Sequence, residues 1–393
     1  MNTDSQNINK SLFSSEKLVF IGSAFWWFSL YIYVPILPIF SKDLGANLGF
    51  VGLIVASYSI GQILFRMPIG YLSDRLKSRK LFSVFAALVS TLGSSFLFFA
   101  DQPNEVFIGR TITGIAAAGW VAISVYYSSF FSPKERSKSS TYILGSNTAS
   151  VFLGTFLSGF VSDLFGANIC FLISILSGLV ATLLFILSKE NKFKLEAKFS
   201  TTVFFKLMRN RILIAFCTIG IFVQFVTFST LFSFFPIYLN ELNFTDSIVG
   251  NIVSFSTLAT LVGTFSSPIL LRKFGFWRTA AIASIPLALS NLLTPFLESL
   301  SLLIILRLIA GFGSGVVFSS LMGLIVREFQ ENYQASAMGI FQAIYAIGMF
   351  SGPLISGMIA SNFGISYVFA FSSFISLTIL MVCFVMRTEK LTK

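Results

Sequence analysis

The chain has 393 residues, of which 55% are hydrophobic and only 11% are charged, and its mean hydropathy is +0.84. A water-soluble globular protein of this length needs far more charged side chains on its surface, so this class is excluded. The formal net charge of +11 could indicate nucleic-acid binding, and the distribution of the basic residues has to decide that question.

Apolar stretches of about 20 residues, the length that crosses a bilayer, follow one another along the whole sequence. The first, residues 18–40, is longer than a signal-peptide core and lacks a small-residue cleavage site, so we expect it to remain as helix 1. The other predicted helices lie near residues 49–72, 81–100, 106–130, 140–162, 168–188, 211–239, 248–271, 279–297, 301–326, 335–360 and 366–386. The pattern predicts an all-α membrane protein with twelve transmembrane helices.

Lysine and arginine residues are concentrated in alternate loops. If both termini are cytoplasmic, the loops and tails on that side carry 23 of the 27 Lys and Arg residues, and the opposite side carries only Lys42. The other three, Arg66, Arg110 and Arg307, fall within predicted helices. This positive-inside distribution predicts a multi-pass protein of the cell membrane with cytoplasmic termini. The lipid bilayer, and not a nucleic acid, is therefore the expected partner of the basic residues.

The sequence lacks histidine and the common motifs of ATP hydrolysis, zinc proteolysis and serine hydrolases. The sequence contains no histidine, and Cys170, Cys217 and Cys383 fall within apolar stretches without the spacing of a zinc or redox site. No phosphate-binding GxxxxGK[ST], HExxH or GxSxG motif occurs. We therefore expect no cofactor, no metal and no catalytic residue.

The sequence repeats itself at an interval of 198 residues. The matching pairs are Pro38 with Pro236, Gly52 with Gly250, Gly154 with Gly352, Gly159 with Gly357 and Gly166 with Gly364, and Arg110 matches Arg307 at 197. An even number of helices per half gives the two halves the same orientation in the membrane. The predicted domains are a cytoplasmic tail at 1–17, a six-helix bundle at 18–188, a cytoplasmic linker at 189–210, a second six-helix bundle at 211–386 and a cytoplasmic tail at 387–393. Within the linker, a short amphipathic helix on the inner leaflet and a solvated tether are both compatible with the pattern.

The segment GYLSDRLKSRK, residues 70–80, joins predicted helices 2 and 3. Gly70 allows a neighbouring helix to approach closely, and Asp74 can accept hydrogen bonds at the positive N-terminal end of a facing helix. The segment resembles the G-x-L-x-D-R-x-G-R-R signature of the major facilitator superfamily, although Lys77 and Ser78 replace a glycine and an arginine. An ordinary basic loop would explain the charges but not the glycine and the acid.

The resemblance implies a transporter with two pseudo-symmetric six-helix bundles that rock around a site near the middle of the membrane. It assigns Gly70, Asp74, Arg75 and Arg79 to a conformational latch on the cytoplasmic side. The corresponding place in the second half has Arg272 where Asp74 stands, so only the first half keeps the complete latch.

Arg110-x-x-x-Gly114 in helix 4 and Arg307-x-x-x-Gly311 in helix 10 resemble the arginine motif of the same family. In this fold helices 4 and 10 line the central cavity, where two cations would favour an anionic or dipolar substrate or pair with a proton-accepting carboxylate. The alternative is that both side chains snorkel to the membrane surface. Glu105, five residues before Arg110, is the candidate for coupling, and its alternative is a solvated loop acid.

Small residues recur in helices 5 and 11 and partly match a motif of the family's antiporters. They are Gly154 and Gly159 in helix 5, and Gly348, Gly352, Pro353, Ser356 and Gly357 in helix 11. Such residues permit close helix packing, and Pro353 permits a kink. The partial motif supports export.

Polar and aromatic residues on cavity-lining helices are candidates for substrate contact: Trp26, Trp27, Tyr31, Tyr33, Asn147, Gln224, Gln342 and Tyr345. Buried polar groups in a membrane usually face a partner or a cavity, whereas aromatic residues also form the interfacial belt. The sequence predicts a monomeric secondary transporter that exports small amphipathic molecules in exchange for protons. The alternative is an uptake carrier or facilitator for a small polar or anionic solute, such as a sugar or an organic anion.

Overall fold

The computed structural model describes residues 14–132, 136–190, 207–329 and 331–391, without the side chains of Asp74 and of residues 136–138, 326, 331–336 and 387–391. Most of the predicted N-terminal tail (residues 1–13) and most of the predicted linker (residues 191–206), including most of its possible amphipathic helix, lie outside these ranges. In the described ranges the secondary structure is helical.

Twelve helices, α1 to α12, correspond to the twelve predicted spans. Their bounds are Ser15–Tyr31 with Leu37–Asp43 (α1), Leu48–Arg75 (α2), Arg79–Phe98 (α3), Pro103–Ala118 with Trp120–Ser128 (α4), Arg136–Phe165 (α5), Ala167–Leu187 (α6), Arg211–Ser229 with Phe235–Glu241 (α7), Asp246–Phe274 (α8), Phe276–Leu293 (α9), Leu300–Glu328 (α10), Glu331–Phe363 (α11) and Ile365–Leu391 (α12). Eleven of them, α2 to α12, are each long and apolar enough to cross a membrane. The twelfth, α1, is divided into two shorter segments, a break that the hydropathy pattern does not predict.

The breaks in α1 and α7 occupy the same place in the repeat. Residues 32–36 of α1 form turns, and residues Thr230–Phe234 of α7, 198 positions later, form a π-helix. In both helices a proline follows within the next two positions after helix resumes, Pro38 in one and Pro236 in the other. Proline lacks an amide hydrogen and disturbs the preceding turn, which explains why the irregularity recurs.

Residues with a left-handed backbone also follow the repeat. They are Gly45, Lys77, Gly166, Asn243, Gly275 and Gly364, with φ angles from 53° to 99°. They form three pairs that are 198 residues apart: Gly45 with Asn243, Lys77 with Gly275, and Gly166 with Gly364. Equivalent connections therefore share a positive φ angle, which is a local sign of the pseudo-symmetry of the two six-helix halves.

The two membrane faces differ in charge. The face with the turns at residues 76–78 and 188–190 is called the basic face below, and the opposite face, which carries Asp43, Asp101, Glu105, Asp163, Glu241, Asp246 and Glu298, is called the acidic face. Two pairs of helices join the halves: α2 packs against α11, and α5 packs against α8. These contacts are called the α2–α11 seam and the α5–α8 seam.

The apolar core is continuous between the halves toward the acidic face only. One cluster of buried side chains includes residues of the first half, such as Val51 and Ile54, together with Phe234, Ile252 and Met349 of the second half. A separate cluster near the basic face contains only second-half residues, among them Phe216, Leu321 and Phe341. The halves are therefore packed together toward the acidic face and have separate cores toward the basic face.

Candidate functional site

Three polar residues of α2 lie on one face of the helix, because each is four positions from the next: Tyr58, Gln62 and Arg66. Arg66 donates from Nη2 to Oε1 of Gln62 at 2.8 Å and from Nη1 to the Tyr345 hydroxyl of α11 at 3.4 Å. This second contact joins the two halves. It lies nine residues, or about 14 Å, from the basic-face end of α2.

Arg110 of α4 extends this cluster toward the acidic face. Its Nη1 donates to the Tyr33 hydroxyl at 3.2 Å, and its guanidinium lies over the Tyr58 ring, 4.1 Å from the centroid. The side chain of Arg110 is only 2% exposed, so it is enclosed by tyrosines and does not snorkel to the surface.

Aromatic rings form the apolar part of the site on both sides. In the first half, Trp26, Trp27 and Trp120 contact one another, with centroids 4.9 to 6.5 Å apart. The Tyr31 ring is 6.1 Å from Phe232 of α7, across the boundary between the halves. In the second half, the Tyr345 ring is 5.2 Å from Phe318 and 5.3 Å from Phe341.

The remaining predicted substrate contacts are the amide side chains Asn147 of α5, Gln224 of α7 and Gln342 of α11. All three are partly exposed. In the part of the chain that the structure describes, no hydrogen bond satisfies them, so their amide groups remain available for other contacts.

Arg307 occupies the place in α10 that corresponds to Arg110 but has different surroundings. Its Nη2 donates to the carbonyl oxygen of Ser290 at 3.4 Å, to Oδ1 of Asn291 at 3.2 Å and to Oγ1 of Thr294 at 2.5 Å. It also lies over the Phe235 ring, 4.6 Å from the centroid. Arg307 thus braces α10 against α9 and is not part of the cluster around Arg66.

Glu105, the predicted coupling residue, lies in the first turn of α4. One of its carboxylate oxygens accepts the backbone N–H groups of Asp101 at 2.8 Å and Gln102 at 3.1 Å, which closes a capping box with Gln102. Glu105 forms no ion pair with Arg110 in the described structure. Its geometry is that of a helix cap.

The predicted latch residues lie at the basic-face ends of α2 and α3, on either side of the turn. Arg79 donates from Nη1 to Oγ of Ser73 at 2.6 Å, whereas the Arg75 side chain is exposed. The carboxylate of Glu190 accepts the backbone N–H groups of Arg79 and of Lys80, the latter at 3.1 Å, and so caps α3. The side chain of Asp74 lies outside the described structure.

Lys77 stands where the family signature has glycine, and its φ angle is 53°. The left-handed conformation is strained for a lysine and free for a glycine. A positive φ angle is therefore present at the position of the signature glycine although lysine occupies it. The equivalent connection in the second half has Gly275, at 72°.

The small residues predicted for helix packing lie at close backbone approaches. A Cβ atom added at Gly352 would collide with the Phe225 backbone, and one added at Gly154 would press on the backbone of residues 31–32. In the α5–α8 seam, a Cβ atom added at Gly159 would collide with the Asp246 backbone of α8. In the α2–α11 seam, a Cβ atom added at Gly52 would collide with the backbones of Pro353 and Gly357.

The α5–α8 seam also has polar contacts at the acidic face. Both carboxylate oxygens of Asp163 accept backbone N–H groups at the start of α8, from Asp246 at 3.0 Å and from Ser247 at 2.9 Å. Ser162 donates to the Asp246 carboxylate at 2.5 Å. Nearby, Lys42 of α1 pairs with Glu241 of α7 at 2.9 Å.

Sequence inspection did not assign Tyr58, Gln62, Trp120, Phe232 or Asp163 to the site. The spacing of Tyr58, Gln62 and Arg66 was a usable signal, because three polar residues four positions apart share one helix face. Nothing in the sequence around Asp163 indicates that it caps α8, a helix that begins 83 residues later.

Comparison with known proteins agrees with this architecture. A sequence model of the Major Facilitator Superfamily matches residues 19–297 and 217–393. An uncharacterised MFS-type transporter of Methanocaldococcus jannaschii is 25% identical over 91% of this chain and 93% of its own length. The multidrug resistance efflux pump PmrA of Streptococcus pneumoniae is 24% identical over 90% of this chain and 91% of its own length.

Solved structures show the same fold. The nucleoside transporter NupG, in a crystal structure of a point mutant, superposes with a TM-score of 0.77 at 16% identity, covering 95% of this chain and 100% of that chain. A bacterial homologue of the human lysosomal transporter Spinster, in an inward-facing and occupied conformation, gives a TM-score of 0.80 at 13% identity, covering 94% and 95%. The protein is a multi-pass membrane transporter that belongs to the major facilitator superfamily.

Proposed function

We propose that the protein is a secondary transporter that works by alternating access and exports small amphipathic molecules in exchange for protons. In this proposal the basic face is cytoplasmic, the protein lies in the cell membrane, and the monomer is the transporting unit. The observation that carries the proposal is the aromatic and arginine-containing site between the halves, together with the continuous core on its acidic-face side.

Alternating access is supported by the unequal packing at the two faces. The α2–α11 and α5–α8 seams join the halves toward the acidic face, whereas the second half has a core of its own toward the basic face. An added Cβ atom would meet nothing within 4 Å at Gly145 of α5, Gly323 of α10 or Gly339 of α11. A molecule bound near Arg66 would therefore exchange with the basic face, and rocking of the halves would expose it on the other side.

Export is supported by the orientation and by one relative. The positive-inside distribution supports a cytoplasmic basic face, and in this conformation the site would then load from inside the cell. PmrA is by its name a multidrug efflux pump. The alternative, uptake of a small polar solute, is favoured by the polar groups around Arg66 and by the likeness to a nucleoside transporter, which shows the fold alone.

An amphipathic substrate is supported by the composition of the site. The rings of Trp27, Trp120, Phe232 and Phe318 offer apolar contact, and Gln62 and Arg66 offer a few placed polar groups. Sites for small molecules usually combine these two features.

Proton coupling is supported by carboxylates at the α5–α8 seam rather than by Glu105, which caps α4. Asp163 and Asp246 lie on different halves and contact each other's helices. Protonation of Asp163 would remove a negative charge from the N-terminal end of α8 and weaken the contact that closes the acidic face.

Dye efflux from cells that express the protein, with and without a protonophore, tests the proposal. We expect energised efflux that the protonophore abolishes and that Asp74→Asn strongly reduces while the variant remains inserted and folded. Asp101→Asn, which changes an exposed acid of the acidic face, is the matched control and should keep wild-type efflux. Energised accumulation of a labelled sugar or organic anion, without dye efflux, would favour the uptake alternative instead.

A further inference from the structure

The polar end of the site contains more hydrogen-bond donors than acceptors. Gln62 is 4% exposed and uses its carbonyl oxygen for Arg66, while its Nε2 has no partner in the described structure. The Nε atoms of Arg66 and Arg110 are buried without an acceptor as well. A buried donor without an acceptor is unfavourable, so a ligand that supplies acceptors would gain by binding here.

The charge at this end is also uncompensated. The hydrogen-bond partners of the Arg66 guanidinium, Gln62 and Tyr345, are neutral, and within the described part of the chain no carboxylate lies within 4.0 Å of it. The acid on the same helix, Asp74, is eight residues or about 12 Å further along α2. An unpaired cation inside a membrane is costly and favours an anionic partner.

Arg307 shows what a structural arginine looks like in the same protein. It donates to three oxygens of α9 and lies on the ring of Phe235. Arg110 similarly lies on the ring of Tyr58. The Nε atoms of all three arginines lack an acceptor. No described ring lies under the Arg66 guanidinium, and its side chain is partly exposed, so Arg66 differs from both in being accessible and in lacking a ring partner.

Aromatic rings lie beside this charge. The Tyr345 hydroxyl is 3.4 Å from Nη1 of Arg66, and the Tyr345 ring packs against Phe318 and Phe341. A ligand with its charged group at Arg66 would therefore place an adjoining ring against these side chains.

We propose that the site recognises amphipathic organic anions, in which a carboxylate or sulfonate pairs with Arg66, accepts from Nε2 of Gln62, and carries an aromatic body that packs on α11. This proposal rests on the proposed function and names the substrate class of that same site. An amphipathic cation of the same size is disfavoured, because Arg66 repels it.

Calorimetric titration of the purified full-length protein in detergent tests this with three molecules that share one ring system: naphthoate, naphthylmethanol and naphthylmethylammonium. We expect naphthoate to bind at least about tenfold more tightly than the ammonium compound, with the neutral alcohol between them. Arg66→Gln should remove the preference and leave the affinity for naphthylmethanol within about twofold. Arg66→Lys should keep part of the preference, and Arg272→Gln, at an exposed arginine of α8, should keep all of it.

Retained naphthylmethanol binding shows that a variant is folded. If Arg66→Gln does not fold, Gln62→Leu is the second test, with an expected severalfold loss for naphthoate alone. Equal or tighter binding of the ammonium compound by the wild type, or an unchanged preference in Arg66→Gln, would overturn the inference. If the inference fails in this way but dye efflux is normal, the proposed transport function still holds. If there is neither efflux nor binding of any of the three molecules, both the transport function and the substrate class are wrong.

Discussion

The two seams between the halves are related by the internal repeat but are held together differently. In the α2–α11 seam, Gly52 and Gly357 bring the backbones into direct contact. The start of α2 is capped from its own side, because Oδ1 of Asn47 accepts the N–H of Phe50 at 2.8 Å. Ser361 of α11 lies beside Gly49 and brings no charge to this contact.

In the α5–α8 seam, Gly159 and Gly250 make the equivalent close approach. Asp163, however, stands where the other seam has Ser361, and it caps α8 from the opposite half. Glycine packing is thus common to both seams, whereas a charge at a helix N-terminus closes only one of them. The comparison suggests that α2–α11 closes by packing and that α5–α8 adds an electrostatic contact that can be switched.

The largest effect is expected from filling the glycine contacts. Leucine at Gly159 or at Gly52 would separate the helices of its seam, so we expect dye efflux to fall by roughly 100-fold or more in either variant. Gly145→Ala is the control, because its added Cβ atom would meet nothing within 4 Å. Normal efflux by a well-folded Gly159→Leu protein would show that this contact is dispensable, and a difference between the two leucine variants would show that one seam matters more.

The second largest effect on efflux is expected from removing the charge that only the α5–α8 seam contains. Asp163→Asn loses the negative charge facing α8 and one of two hydrogen bonds, because its amide NH2 cannot accept a backbone N–H, so we expect efflux to fall about tenfold. Ser361→Ala, at the equivalent position, should stay within about twofold.

Labelling of a reporter cysteine tests whether efflux falls in Asp163→Asn because the acidic face opens. With Met349→Cys, at a position that is 6% exposed, a membrane-impermeant maleimide applied to the acidic face should react severalfold faster in the Asp163→Asn background. Unchanged labelling in that background would mean that Asp163 does not hold the acidic face closed.

The third largest effect is expected on stability, at the equivalent connections that contain Lys77 and Gly275. Lys77 is left-handed where the second half has Gly275, and a lysine in this conformation costs about 1 kcal/mol or more. We expect Lys77→Gly to raise the free energy of unfolding by about 1 kcal/mol. Gly275→Lys should lower it by about 1 to 3 kcal/mol, because Gly275 has a ψ angle of 168° and lies in a region that glycine alone adopts readily. Thermal unfolding of the purified variants checks this, and a fall in stability for Lys77→Gly would show that the lysine side chain makes a compensating contact.

The smallest effect is expected at the ion pair of Lys42 and Glu241. Their side chains are 35% and 44% exposed, and exposed ion pairs contribute between about 0 and 1 kcal/mol. Neutralising either residue should therefore change efflux by less than about twofold, and exchanging the two should restore it. A tenfold loss would place the electrostatic contact at this pair and not at Asp163.

Much of the fold could be predicted because the bilayer acts on consecutive residues. A span must satisfy its own backbone hydrogen bonds and be apolar over about 20 residues, so helix positions follow from local composition. The repeat was also visible, since glycine and proline are retained where the backbone requires them. The breaks in α1 and α7 were missed because turns and π-helix keep the same hydropathy as the helix around them.

The site was only partly predictable, because its contacts join residues that are far apart in the sequence. Trp27, Tyr31 and Tyr345 could be proposed from residue type, but Arg110 and Arg307 look alike in sequence and differ in what surrounds them. The contact of Arg66 with Tyr345 joins residues 279 positions apart, and that of Asp163 with α8 crosses from one half to the other. The sequence by itself determined the membrane class, the twelve spans, the duplication and the presence of the signature motif, because each depends on neighbouring residues or on a repeated spacing. Only the tertiary structure decided which charged side chains have hydrogen-bond partners, which of the two seams contains a charged contact, and at which membrane face the halves meet. These features depend on how distant helices pack.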